Sequence, residues 1–341
     1  MIDKIVTTNF YSFVRPPLPH INCLQLVCWL ILLFGLLHSV AQGGCVPRAG
    51  DEYWEVSTRD LPCSVCGADF SAESFKVHRM VDGQWTRGTL AELAANMGAF
   101  PMRSIIYTHG NWMTYSNARQ RANTLYQHIV ARTAEPIRFV AFTWPSHRQR
   151  EGRPVQDIRE KAERSEIDAV RFAQFLRALP TGAPIGLIGF SFGSRVTCGG
   201  LHLFMGGSLN GQCLPANTEP GPLMRVSLIA PAFDSHWLAP SQHYGQAINA
   251  IESLVNIYNS RDPILKRYRF LNEDPSPLAA GIAGFAGIPG ASDPRSIAPL
   301  QSDARITQYD CRSSIGSTHE ELSYYQNCSA FCLAIDNVLG R

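Results

Sequence analysis

PIGLIGFSFGSRV, residues 184–196, is an apolar run that ends in the pentapeptide Gly-Phe-Ser-Phe-Gly and a short tail. Such a run is typical of a buried strand, and Ser191 follows it between Gly189 and Gly193. Glycine at these two positions permits a strand-to-helix turn that is too tight for larger residues, and such a turn lifts the serine hydroxyl clear of the backbone. An ordinary loop between a strand and a helix is the alternative, so the rest of the chain has to distinguish the two.

Apolar segments alternate with amphipathic helical patterns along most of the chain. We predict strands in the apolar segments at 103–107, 137–146, 184–190, 224–234, 253–263 and 304–310. The helical patterns lie at 116–133, at 157–179, directly after Ser191 and at 320–339. This alternation predicts an α/β fold with a mostly parallel central sheet and helices on both faces. Two earlier segments, 53–59 and 74–89, predict antiparallel strands at the N-terminal end of the domain.

The composition is that of an ordinary globular protein, with 45% hydrophobic residues. Thirty basic residues against 28 acidic ones leave a formal net charge of +2, and no Lys- or Arg-rich tract occurs. The charge pattern therefore gives no indication of a nucleic-acid-binding protein. No Gly-x-Gly-x-x-Gly sequence follows an early strand, so a dinucleotide-binding oxidoreductase finds no support either.

No charged or Pro/Ser-rich linker divides residues 42–341, which favours a single domain.

Residues 1–41 have the features of a targeting segment. An apolar block at 23–37 is preceded by Lys4 and Arg15, and it is shorter than the ~20 apolar residues that a bilayer span prefers. Residues 39–41, Ser-Val-Ala, fit the small-x-small pattern before a signal-peptidase site. We therefore predict an exported protein whose residues 1–41 are a signal peptide. An uncleaved membrane anchor, which would associate the protein with a membrane, is the alternative.

Eight cysteines follow this segment: Cys45, Cys63, Cys66, Cys198, Cys213, Cys311, Cys328 and Cys332. Their even number is compatible with disulfides, which are the expected use of cysteine in an exported chain. Cys63 and Cys66 have the spacing of half a zinc site, and Cys328 with Cys332 could supply the rest. Because no His-rich stretch or second C-x-x-C accompanies them, we predict that Cys63 and Cys66 take part in disulfides and that no metal is bound.

Three motifs follow three successive strands of the predicted sheet. THGNW comes after the strand at 103–107, FTWPS after the next strand, and GFSFGSR after the third. With a late acid and a late histidine, this ordered set resembles the α/β-hydrolase superfamily, and it is most similar to a bacterial branch of uncharacterised lipase- or esterase-like hydrolases. The resemblance covers Trp54 to the C-terminus. It implies an α/β-hydrolase fold and a Ser-Asp-His mechanism, but it does not identify a substrate, since this fold carries many chemistries.

The resemblance implies a role for three residues in the order nucleophile, acid and base. Ser191 is the expected nucleophile. Among the ten histidines, His319 is the one that follows both the strand at 253–263 and the last strand, so it is the expected base. Asp262, in the sequence NSRDP, is the preferred acid. Asp234, in APAFD, also follows a strand and is the alternative acid, because some hydrolases use that earlier position.

The same resemblance implies an oxyanion hole made of backbone N–H groups. Phe192 follows the nucleophile at the start of a helix, where unpaired N–H groups favour negative charge, so its N–H is one expected donor. The loop His109-Gly110-Asn111 matches the other oxyanion loop of the family. We expect the Asn111 N–H to be the second donor, with the Trp112 N–H as the fallback. His109 is expected to support the backbone of this loop, not to transfer protons.

These residues together predict a serine hydrolase that cleaves an ester or a related acyl bond through an acyl-enzyme. The expected substrate is a small-molecule acyl ester, and no cofactor is required. A serine peptidase or amidase is one alternative, because it would use the same residues. A non-catalytic hydrolase-fold binding protein of the cell envelope is another. Such proteins usually lack a triad member or a glycine of the turn, whereas every expected position is filled here.

Overall fold

The computed structural model describes residues 46–62, 74–215, 221–270, 278–289 and 305–341. The predictions about residues 1–41, and those about Cys63 and Cys66, therefore lie outside the described residues. Within the described ranges, no helix is both long enough and apolar enough to cross a membrane.

The described ranges contain the following strands and helices. The strands are β1 (Glu52–Ser57), β2 (Lys76–Val81), β3 (Gln84–Gly88), β4 (Arg103–Thr108), β5 (Ile137–Thr143), β6 (Ile185–Phe190), β7 (Ser208–Leu209), β8 (Gln212–Cys213), β9 (Met224–Ile229), β10 (Ile251–Tyr258) and β11 (Ile306–Asp310). The α-helices are α1 (Leu90–Ala99), α2 (Tyr115–Val130), α3 (Pro154–Arg177), α4 (Phe192–Phe204), α5 (Ala280–Ala283), α6 (Arg312–Ile315), α7 (Glu321–Asn327) and α8 (Phe331–Leu339). Two 3-10 helices lie at Ala247–Ala250 and Leu265–Phe270.

Nine of the strands form one sheet in the order β11-β10-β9-β6-β4-β5-β1-β2-β3. From β11 to β1 all neighbours are parallel, whereas β2 pairs antiparallel with both β1 and β3 at one edge. Every residue of β5 and β6 is buried, as expected for parallel strands that are covered on both faces. The predicted α/β class, the mostly parallel sheet and its antiparallel N-terminal part are therefore confirmed.

Helices cover both faces of the sheet at β6. A Cβ atom at Gly186 would lie 2.7 Å from the Val338 side chain of α8, whereas one at Gly189 would lie 2.9 Å from the Ser194 backbone of α4. Positions 186 and 189 face opposite sides of the strand, because successive side chains alternate between the two faces. The helix that follows Ser191 thus packs against one face, and the C-terminal helix packs against the other.

The C-terminal region differs from the single helix that the sequence predicts at 320–339. The structure has two helices there, α7 and α8, which are separated at Cys328. The backbone of Cys328 is extended (φ −85°, ψ 111°), and its side chain forms a disulfide with Cys311. Helical periodicity of the apolar residues continues across this break, which is why the sequence pattern does not reveal it. The small ribbon of β7 and β8 was not predicted either.

Candidate active site

Ser191 is the single residue between the end of β6 and the start of α4. Its backbone has φ 51° and ψ −119°, a conformation that residues other than glycine rarely adopt. The Ser191 N–H donates to the Ile229 carbonyl oxygen at 2.9 Å, and its own carbonyl oxygen accepts from the Ser194 and Ala232 N–H groups at 3.0 and 3.2 Å. Hydrogen bonds on both sides of the residue therefore hold the strained turn in place.

The two glycines that flank Ser191 leave no space for a side chain. A Cβ atom at Gly189 would lie 2.9 Å from the Cα atom of Ser194, within the same turn. A Cβ atom at Gly193 would collide with the carbonyl oxygens of Thr108 and His109 at the end of β4. The glycines thus permit both the tight turn and the close approach of α4 to β4.

Ser191, His319 and Asp262 form a continuous chain of hydrogen bonds. The Nε2 atom of His319 lies 2.9 Å from Ser191 Oγ, and its Nδ1 atom lies 2.5 Å from Asp262 Oδ2. A carboxylate accepts hydrogen bonds, so Nδ1 carries a proton in this arrangement. In the neutral ring, Nε2 then has a free lone pair and accepts a hydrogen bond from the Ser191 hydroxyl.

Asp262 is fully buried in the turn after β10. Its Oδ1 atom accepts hydrogen bonds from the Ile264 and Leu265 N–H groups, both at 2.9 Å. The other carboxylate oxygen points to His319. Two backbone donors therefore fix the carboxylate and compensate in part for the burial of its charge.

Asp234, the alternative acid, pairs with a different histidine. Its Oδ1 atom accepts a hydrogen bond from the His236 N–H at 3.0 Å and lies 3.3 Å from His236 Nδ1. The structure therefore brings Asp262 to His319 and leaves Asp234 in a local contact.

The loop that carries His319 is held by a side chain that the sequence analysis did not identify. Asn259 is fully buried directly after β10, and its Nδ2 atom donates to the carbonyl oxygens of Gly316 and Thr318 at 2.9 and 3.0 Å. The Phe190 ring also packs on His319, with 5.3 Å between the ring centroids. In the sequence, the one indication that Asn259 holds this loop is its position three residues before Asp262.

A disulfide closes the chain around the same loop. Cys311 and Cys328 are bonded, with 5.8 Å between their Cα atoms and 17 residues of sequence separation, and His319 lies between them. Cys198, Cys213 and Cys332 are free thiols among the described residues. The general prediction of disulfides is thus confirmed for one pair, which the sequence analysis did not specify.

The loop after β4 runs directly against Ser191. A Cβ atom at Gly110 would lie 2.8 Å from the Phe190 ring and 3.3 Å from the Cβ atom of Ser191. The next residue, Asn111, lines the same cavity as Ser191, and no acceptor for its N–H lies among the described residues. Phe192 is the first residue of α4, where N–H groups have no acceptor within the helix. The two expected oxyanion donors thus lie on the segments next to Ser191.

Trp112, the fallback donor, is engaged elsewhere. Its N–H donates to the carbonyl oxygen of Ser146 at 2.8 Å, and its backbone has φ 58°. The indole Nε1 atom donates to Asp157 Oδ2 at 2.6 Å, which joins the loop to the first turn of α3. The prediction of the Trp112 N–H as the fallback oxyanion donor is therefore wrong, because this N–H already has a backbone partner.

His109 is a buried, neutral histidine. Its Nδ1 atom lies 2.9 Å from the Gly110 carbonyl oxygen, and its Nε2 atom lies 3.3 Å from the Trp144 N–H and 3.1 Å from an Arg59 Nη atom. Arginine and the backbone N–H only donate, so Nε2 accepts and Nδ1 carries the proton. Burial, together with the nearby Arg59 charge, lowers the pKa of His109 from 6.5 to about 3. His109 thus braces the loop backbone.

The FTWPS motif after β5 supports this loop as well. The Trp144 Nε1 atom donates to the His109 carbonyl oxygen at 2.8 Å, and Ser146 Oγ accepts from the Met113 N–H at 3.2 Å. Arg59, just after β1, donates to the Met113 carbonyl oxygen at 3.2 Å. The motifs that the sequence analysis singled out therefore contact one another, although these contacts could not be read from the sequence.

Ser191 and His319 line a cavity of about 690 Å³, a size within the range of small-molecule sites. Asn111, Trp112 and Phe192 line it too, whereas Asp262 and His109 are buried and do not line it. Within the described part of the chain, no group of three or more His, Cys, Asp or Glu side chains could hold a metal ion.

Comparisons with protein-family models, curated proteins and solved structures find no match to this chain.

Proposed function

We propose that the protein is a serine hydrolase of the α/β-hydrolase fold that cleaves a carboxylic ester through an acyl-enzyme. The observation that carries the proposal is the hydrogen-bonded chain from Ser191 through His319 to Asp262 at a strained strand-to-helix turn. A serine hydroxyl is a weak nucleophile on its own. An adjacent base that a carboxylate orients is the arrangement that activates it.

The order of the elements supports this fold. Ser191 follows β6, Asp262 follows β10 and His319 follows β11, which is the order nucleophile, acid, base of α/β-hydrolases. These strands are parallel members of one sheet, so the segments after them emerge at the same edge. That edge is where sheets of this class bind their ligands.

In the acylation step, Ser191 Oγ attacks the carbonyl carbon of the ester while its proton passes to His319 Nε2. The tetrahedral intermediate collapses when the bond between carbon and the alcohol oxygen breaks. His319 then gives the proton to that oxygen, and the alcohol leaves. Asp262 keeps the proton on Nδ1 throughout and stabilises the positive ring that forms.

In the deacylation step, a water molecule attacks the acyl carbon and gives its proton to His319 Nε2. The bond between the acyl carbon and Ser191 Oγ breaks, the proton returns to Oγ, and the carboxylic acid leaves. The N–H groups of Phe192 and Asn111 bind the negative oxygen in both intermediates. Each such donor is worth ~3–4 kcal/mol of transition-state stabilisation.

The strain at Ser191 also favours an enzyme over a non-catalytic binding protein. A serine at φ 51° costs on the order of 1–3 kcal/mol, and such strain persists where the surrounding structure and the function require it. A binding protein with the same cavity would gain nothing from this conformation. A peptidase or amidase would retain it, so substrate assays have to separate those activities from esterase activity.

We also propose that the protein is exported. The Cys311–Cys328 disulfide supports this proposal, because disulfides form and persist in oxidising compartments. Protein isolated from its native host should begin near Gln42. Mass spectrometry that finds intact residues 1–41 would contradict a cleaved signal and favour the membrane anchor.

Hydrolysis of p-nitrophenyl butyrate tests the proposed activity, with the anilide of the same acid as the amide comparison. We expect ester turnover by the wild-type protein and its loss in Ser191→Ala. Ser329→Ala, at an exposed position, is the matched control and should retain full activity. Faster cleavage of the anilide would transfer the assignment to an amidase, and equal ester turnover by Ser191→Ala would refute the serine mechanism.

A further inference from the structure

The cavity at Ser191 has two walls of different chemistry. Apart from His319, its lining residues from α2 and from the segment 317–321 are all polar: Asn117, Arg121, Ser317, Thr318, Glu320 and Glu321. The residues that α3 contributes are all apolar: Pro154, Val155 and Ile158. A ligand that fills this cavity therefore meets hydrogen-bonding groups on the side of His319 and hydrocarbon on the side of α3.

The polar wall combines opposite charges. The Arg121 guanidinium of α2 donates to the Glu320 carboxylate, the residue next to His319. Arginine has five N–H donors, and Glu320 is its hydrogen-bond partner among the described residues, so donors remain for a ligand. Because the two charges compensate each other, this part of the wall favours a neutral hydrogen-bonding group over an ion.

Glu321 adds an incompletely satisfied group to the same wall. Its Oε1 atom accepts hydrogen bonds from the hydroxyl groups of Tyr107 and Tyr325 at 2.6 and 2.5 Å. Its Oε2 atom is buried and has no hydrogen-bond partner among the described residues. Burial raises the pKa of this carboxyl above its ordinary value. A buried oxygen without a partner is unfavourable, and a hydrogen bond from a ligand hydroxyl group that reaches Oε2 would remove that cost.

The apolar wall contains a hydrophobic side chain that is open to solvent. Val155 of α3 lines the cavity and is 49% exposed. Contact with an acyl chain would remove this apolar surface from water, which is favourable in proportion to the area that is buried.

The chemistry of acyl transfer decides which part of the substrate meets which wall. His319 Nε2 gives its proton to the alcohol oxygen, so the alcohol must lie within hydrogen-bond reach of His319. The carbonyl oxygen turns toward the N–H groups of Phe192 and Asn111. The acyl chain takes the remaining direction, away from His319 and along the wall of α3.

We propose that the substrate is an ester of an apolar acyl group with a neutral alcohol that carries further hydroxyl groups. The alcohol binds Arg121, Glu320 and Glu321, and the acyl chain packs on Val155 and Ile158. This inference rests on the proposed hydrolase function. It adds that the enzyme discriminates between alcohols through hydroxyl groups that do not react.

Two monoesters of hexanoic acid test the inference. One is the ester with a primary hydroxyl group of glycerol, and the other is the ester with n-propanol. They share the acyl group and the three-carbon skeleton of the alcohol, and differ by two hydroxyl groups. After correction for their rates of alkaline hydrolysis, we expect kcat/KM to be about tenfold or more higher for the glycerol ester. Arg121→Met and Glu321→Gln should each reduce this ratio. Val155→Ser is the matched control, because it should lower kcat/KM for both esters and leave the ratio unchanged.

A wild-type ratio near one would overturn the inference, and so would an unchanged ratio in both Arg121→Met and Glu321→Gln. Labelling of Ser191 by a fluorophosphonate separates this failure from a failure of the proposed function. If the protein labels but does not prefer the glycerol ester, the hydrolase function stands and the alcohol specificity is wrong. If the folded protein neither labels nor cleaves either ester, both proposals fail.

Discussion

Asn259 donates a hydrogen bond from Nδ2 to the carbonyl oxygen of Thr318, at 3.0 Å, and Thr318 is the residue before His319. The same amide nitrogen also binds the carbonyl oxygen of Gly316 at 2.9 Å. Asn259 comes directly after β10 and three residues before Asp262. One segment of the chain therefore carries Asp262 and fixes the loop of His319.

Substitution Asn259→Ala should weaken catalysis more than substrate binding. Loss of the two hydrogen bonds frees the backbone of the His319 loop, and displacement of a catalytic group by about 1 Å is enough to lower a rate ~100-fold. We expect kcat for ester hydrolysis to fall by about that factor while KM changes little. Asn249→Ala, on the surface, is the control. A loss confined to KM would show that Asn259 does not position His319.

The two candidate acids predict different results on substitution. Asp262→Asn should lower kcat by about 10⁴-fold without unfolding the protein, because the asparagine no longer holds the proton on His319 Nδ1; this magnitude is the one known for the general Ser-His-Asp arrangement. Asp234→Asn should leave kcat within a few-fold of wild type, since its partner is His236. The reverse pattern in a steady-state assay would move the acid to Asp234.

The disulfide should contribute to stability through the loop that it closes. Cys311 and Cys328 are 17 residues apart, and a cross-link over a loop of that length is worth ~3 kcal/mol. Urea denaturation should show a loss of about that size in the free energy of unfolding for Cys328→Ser. Cys332→Ser is the matched control, because Cys332 is a free thiol. Equal stability of the two variants would contradict this contribution.

Burial of His109 predicts a loss of stability in acid. Its pKa is about 3 in the folded protein against an ordinary 6.5, so the unfolded chain binds a proton that the folded one does not. The stabilisation is fully present above pH 6.5 and is lost as the pH falls toward 3, by about 1.4 kcal/mol per pH unit. His109→Gln should unfold with a correspondingly smaller pH dependence.

A ring of His109 that NMR shows to be protonated at pH 5 in the folded wild-type protein would contradict this prediction. The measurement does not require the variant to fold. It also tests the neutral form that the hydrogen bonds from Trp144 and Arg59 require.

Local patterns in the sequence predict much of the fold. The apolar run before Ser191 and its flanking glycines indicate both the buried strand β6 and the turn, because strand burial and turn geometry depend on neighbouring residues. The family resemblance then implies the roles of Asp262 and His319 from their order along the chain. The structure brings these residues together at the carboxyl edge of the sheet, as that order requires.

Contacts between distant segments could not be predicted in the same way. Asn259 and Thr318 are 59 residues apart, and no periodicity relates an amide to the carbonyl groups that it binds. The pairing of Cys311 with Cys328 is also one of many that the cysteines allow. The engagement of the Trp112 N–H by Ser146 depends on the packing of two loops, so the sequence left that donor open.

Covalent labelling of Ser191 tests the central proposal most directly. A fluorophosphonate reacts with an activated serine by forming a bond between Oγ and phosphorus as fluoride leaves, and an unassisted hydroxyl barely reacts. We expect intact-mass spectrometry to show one phosphonyl group on each wild-type chain. Mass analysis of the digested protein should locate it on the peptide that contains Ser191. Ser191→Ala should show none, and His319→Ala should react far more slowly. A folded wild-type protein that remains unmodified, or one that is modified at another residue, would contradict the account.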